Sequence, residues 1–200
     1  MARQYNTTLR NEWINTYKTQ IGTAPTLRML TGSPPANCAA AQTGTALVDL
    51  TLPSTWLGTP SGGVASLSGT WSGTISATGV AGYYRIIKTG TTWEQGVVTQ
   101  AFTLATSAST AAASNVLTFS STTGVTVGMS VTGTGVPADA TVLALTSTTV
   151  TLSQVSTTGV ASSASIYFGS TDGDMWLTST LLTSGQPFEI TELNFTAPGA

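Results

Sequence analysis

The residues able to do chemistry are few. Asp172-Gly173-Asp174 sets two carboxylates about a glycine turn, an arrangement that can contribute oxygens to a calcium ion. A complete EF-type loop needs further oxygen ligands and a distal glutamate at fixed spacing. Both are missing, so the expectation is a solvated turn. Glu189 and Glu192 fall on opposite faces if 188–195 is a strand, because their spacing is odd, which argues against paired glycosidase acids. Cys38 is the single cysteine and has no histidine to activate it, so it reads as a small structural residue. The absence of histidine also excludes Ser/His/Asp and Cys/His triads and histidine metal sites. No glycine run carries the Lys-Ser/Thr of a phosphate loop or the dinucleotide fingerprint. The expectation is a protein without catalysis, cofactor or metal.

What remains is chemistry of contact. Arg28 and Arg85 each interrupt an apolar strand. A buried cation on so neutral a chain needs a partner such as Asp49 or Glu94, with intramolecular pairing the first expectation and a carboxylate of another subunit the second. Of the tryptophans, Trp13, Trp56, Trp71, Trp93 and Trp176 all lie outside the central stretch 101–169, and most are expected in a core. Trp56, in the loop-like segment 53–60, is the candidate for exposure. Trp13, Tyr17, Trp56, Arg28 and Arg85 are therefore the candidate interface residues, since a rigid aromatic or an arginine is favoured where a surface is buried against a partner.

One helix and a series of short strands must position these groups. Asn6 or Thr7 can cap a helix in which Leu9, Trp13, Ile14, Tyr17 and Ile21 recur at helical spacing, with Glu12 near its positive end and Gly22 as the stop. That face can pack on the protein's own sheet or on a neighbouring subunit. Strands are expected at 26–30, 46–52, 64–67, 71–77, 83–88 and 92–99, the last two joined by a tight turn at Thr89-Gly90. From 101 to 169 Asp139 is the sole charged residue, and strands are expected at 116–119, 125–131, 141–145 and 148–152. Charges return afterwards, with strands at 175–180 and 188–196.

The fold class that follows is all-β: a β-sandwich or barrel with one N-terminal helix, carrying a second small β-sandwich module inserted in a hairpin. Residues 1–100 with 170–200 form a discontinuous docking domain, and 101–169 the inserted module, as exposed loop tips tolerate.

Composition narrows the function classes. Charged residues are 7% of the 200, where about a quarter is ordinary, while hydrophobic residues make up 40%. That pairing argues against disorder, and the abundance of Thr and Val favours strands. The net charge of −2 provides no field for phosphates, so no nucleic-acid partner is expected. No secretion signal follows Met1, and no stretch approaches the roughly 20 apolar residues that span a bilayer, so no membrane partner is expected. A surface poor in charge suffers little desolvation cost when another protein covers it.

The order Arg10-Asn11-Glu12-Trp13-Ile14, Thr26-Leu27-Arg28-Met29-Leu30, Gly79-Val80-Ala81-Gly82-Tyr83-Tyr84-Arg85-Ile86, Gly173-Asp174-Met175-Trp176-Leu177 and Thr196-Ala197-Pro198-Gly199 resembles small β-rich virion proteins of tailed bacteriophages. The resemblance covers about two-thirds of the chain, and the stretch between departs from it. Within that stretch, residues 123–133, 135–138 and 148–153 resemble the Ig-like or small-sandwich modules of phage capsid and tail proteins. The resemblance implies a virion structural protein, first of all a capsid decoration or cement subunit. Its partners would be the major capsid protein or other virion subunits, in a homo-oligomer located in the virion. A neck or tail component and a receptor- or glycan-binding adhesin are the alternatives. The resemblance carries over no functional residue.

Overall fold

The computed structural model describes residues 4–199. The chain is mainly β with one N-terminal helix, as the alternation of short apolar runs and turn residues implies. It divides into two compact units, residues 4–97 with 181–199, and residues 98–180.

In the first unit, α1 (Thr7–Ile21) starts where the Asn6 side chain accepts the Thr8 N–H at 2.8 Å, satisfying one of the free amides of the first turn. It ends at Gly22, whose N–H bonds to the Lys18 carbonyl at 2.9 Å. The stripe that packs inward is Arg10, Ile14, Tyr17 and Ile21, spaced at helical period. Leu9 and Trp13, expected on the apolar face, stand one residue aside from it and are exposed. Glu12 lies beyond the first turn, too far along for the favourable end of the helix dipole.

The main sheet of this unit contains β1 (Thr26–Thr31), β2 (Ala46–Thr51), β5 (Gly79–Lys88) and the first residues of β6 (Thr91–Ala105), in the order β2-β1-β5-β6, all antiparallel. Thr89 and Gly90 have φ of 51° and 77°. Positive φ at both positions gives the turn a twist that matches the flanking strands. Two small sheets pair β3 (Val64–Ser66) with β15 (Asn194–Thr196), and β4 (Trp71–Thr74) with β14 (Pro187–Ile190). The short β13 (Leu181–Leu182) runs beside β5. The expected strand 188–196 is thus two strands with different partners.

Both sides of β5 are covered, and Tyr83, Tyr84, Arg85 and Ile86 are all buried. On one side the loop before β2 crosses the sheet: the Tyr83 hydroxyl donates to the Thr43 carbonyl at 2.5 Å, and Arg85 Nη2 to the Ala40 carbonyl at 3.0 Å.

The second unit takes the later residues of β6 with β7 (Val116–Thr118), β8 (Val131–Thr132), β9 (Val142–Leu145), β10 (Thr149–Leu152), β11 (Ser165–Gly169) and β12 (Met175–Leu177). One set of strands runs β6-β11-β8 and another β7-β10-β9. Leu117, Phe119, Val131, Val150, Leu152, Ile166 and Phe168 lie in one buried cluster, with Phe168 stacked on Phe102 at 5.7 Å and edge-on to Phe119 at 5.6 Å.

Three expectations need correction. Segment 125–131 joins a strand only at Val131, with Ser130 making an isolated bridge to Thr141, because Val125 and Met129 spend their N–H groups locally, on the carbonyls of Thr122 and Thr126. Strand β11 was not foreseen. The second unit interrupts the first at 98–180 rather than at 101–169, and within it β12 runs parallel to β6, Met175 beside Val98. Gln100 draws that return in, donating to the Thr178 carbonyl and accepting from the Thr180 hydroxyl, both at 3.2 Å. The unit consequently extends to 180.

Candidate functional site

The five candidate interface residues all belong to the first unit, where the structure gives them different roles. Trp56 is 2% exposed and is a core residue. Its indole Nε1 donates to the Gly22 carbonyl at 3.0 Å, and its ring packs 5.8 Å from Tyr17 and 6.1 Å from Trp71. The loop around it is irregular, but irregular backbone does not prevent a side chain from turning inward. Tyr17 extends this aromatic column, stacking on Phe195 at 4.3 Å.

The Tyr17 hydroxyl donates to one oxygen of Glu94, and the Tyr84 hydroxyl to the other at 2.5 Å. Burial, reinforced by the neighbouring carboxylate, holds the Tyr17 phenol far above the usual tyrosine range. Trp13 remains at the surface, 37% exposed, with the Tyr5 ring edge-on at 4.8 Å.

Arg28 is held by Asp49 through two bonds, Nε to Oδ1 at 2.7 Å and Nη2 to Oδ2 at 2.6 Å, and it reaches Gln42 Oε1 at 2.9 Å. This fork raises the Arg28 pKa further. Arg85 is 3% exposed, and its guanidinium donates to neutral acceptors: the Ala40 carbonyl, Gln95 Oε1 and Thr92 Oγ1. Glu94, named above as a possible partner, lies opposite Ile86 and so faces the helix side of the sheet. Sequence reading missed Arg10, a buried arginine whose Nη2 donates to the Ala197 carbonyl at 3.2 Å. Its i, i+4 spacing to Ile14 was the available signal.

Comparison with family models, curated proteins and solved structures returns no match.

The acidic residues form no metal centre among the described residues. The Asp172 N–H bonds to the Ser170 hydroxyl at 3.0 Å, as in a local turn. Glu192 falls between strands and accepts from Asn194 at 3.2 Å.

The exposed large apolar side chains are the other feature of the surface. In the first unit Val80 and Leu181 face each other across β5 and β13, 57% and 60% exposed. In the second unit Val127, Leu143, Tyr167 and Trp176 are exposed.

Proposed function

We propose that this chain is a structural subunit of a tailed-bacteriophage particle, acting as a capsid decoration or cement protein that stiffens the shell through subunit contacts. The observation that carries the reading is the apolar pair Val80–Leu181, exposed on a chain with 7% charged residues. Exposed apolar surface is costly in water, and a chain so poor in charge lets a partner cover it with few ionised groups to strip of their hydration. The resemblance to small β-rich virion proteins supplies the setting.

The test is cosedimentation of the purified chain with particles of the phage that encodes it, followed by electron microscopy of those particles. Decoration predicts density repeated over the whole shell. Density at a single vertex or along the tail would move the assignment to a neck or tail component. A chain that stays monomeric and binds neither shells nor tails would end the reading.

A further inference from the structure

The register of the first unit's sheet lines up four side chains across four strands. Asp49 on β2 is opposite Arg28 on β1, Arg28 is opposite Arg85 on β5, and Arg85 is opposite Gln95 on β6. Two arginines therefore stand directly opposite each other, a placement that costs stability unless negative charge compensates it. Asp49 supplies one carboxylate and spends both oxygens on Arg28. The position flanking Arg85 on its other side holds a neutral amide. Among the described residues Arg28–Asp49 is the sole ion pair, and the buried Nε of Arg85 has no hydrogen-bond partner.

A cavity of about 800 Å³ lies at this row, lined by Arg28, Ala40, Gln42, Asp49, Arg85 and Thr92 among others. A buried guanidinium without a counter-charge is an expensive group to keep. Its planar fork is matched geometrically by a carboxylate. We propose that this cavity is a carboxylate-binding site, and that the carboxylate is an acidic side chain of the protein partner. The source of the carboxylate rests on the structural role proposed above; the site itself does not.

The probe is glutarate, which presents the carboxylate of a glutamate side chain. Thermal unfolding of the full chain in rising glutarate, at ionic strength matched with chloride, is expected to give a saturable upward shift of Tm. Arg85→Met is expected to lose that shift. Should this variant fail to fold, Thr92→Asp decides the matter: Thr92 Oγ1 lies 3.3 Å from Arg85 Nη1, so an aspartate there supplies the missing charge from within and removes the response. An unsaturable shift, an equal shift with chloride, a response to phosphate alone, or an undiminished response in Thr92→Asp would overturn the site. Glutarate is further expected to compete with the chain's association with particles. If it binds and leaves association intact, the partner side chain is wrong while the site stands; if the chain meets no particle at all, the structural role falls and the glutarate shift still reports on the site.

Discussion

The Tyr17 hydroxyl on α1 donates to the carboxylate of Glu94 on β6, a contact spanning 77 residues of sequence that ties the helix to the sheet. Glu94 is partly buried and keeps both oxygens occupied by phenols, Tyr17 on one and Tyr84 on the other. Tyr17→Phe leaves one oxygen of a desolvated carboxylate without its donor. The expected loss is about 1–3 kcal/mol of unfolding free energy, read from urea denaturation.

The same contact sets a dependence on alkali. The ordinary tyrosine value is 10.0, and the folded Tyr17 titrates well above it. Its stabilisation is therefore complete below pH 10 and declines above it, because the unfolded chain then releases a proton that the folded chain keeps. Unfolding free energy should fall as pH rises past that point, and Tyr17→Phe should flatten the decline. Phenolate absorbance of the folded protein should show Tyr17 silent until the chain unfolds.

Trp56 and Trp13 separate core from surface. Trp56→Ala removes a ring packed against Tyr17 and Trp71 and is expected to cost about 3–5 kcal/mol. Trp13→Ala, at a half-exposed helical position, should cost about 1 kcal/mol or less. Thermal denaturation of the two variants side by side checks the contrast.

Gly63 is required by a close approach. It has φ of 80°, and a Cβ there would lie 2.4 Å from Cζ of the buried Arg10, whereas at Gly62 nothing lies within 4 Å. Gly62→Ala should cost about 1–2 kcal/mol, the penalty for a left-handed alanine. Gly63→Ala should cost clearly more, since the Arg10 side chain must also move from the Ala197 carbonyl.

Val80→Lys tests the docking surface directly. Val80 is exposed, so folding should change by less than about 1 kcal/mol, whereas association with particles should be lost. Circular dichroism and cosedimentation measure the two effects separately.

Much of this architecture is legible in the chain because it depends on local chemistry. Asn6 caps the helix, Thr89-Gly90 turns the hairpin, and runs such as Leu47 to Leu50 alternate or bury as strands do, since each of these is settled by a few neighbouring residues. The shortage of charge and the lack of histidine likewise bound the chemistry through composition alone. Long-range pairing settled the rest. Whether Trp56 faces water or Tyr17, whether the chain returns along β6 parallel or antiparallel, and whether Arg85 meets Glu94 or Gln95 all depend on segments far apart in sequence meeting in one register. A shift of one residue in that register would exchange the two faces of β6, bringing Glu94 to Arg85 and Gln95 to Tyr17. No neighbouring residue encodes that choice; the packing of the whole sheet makes it.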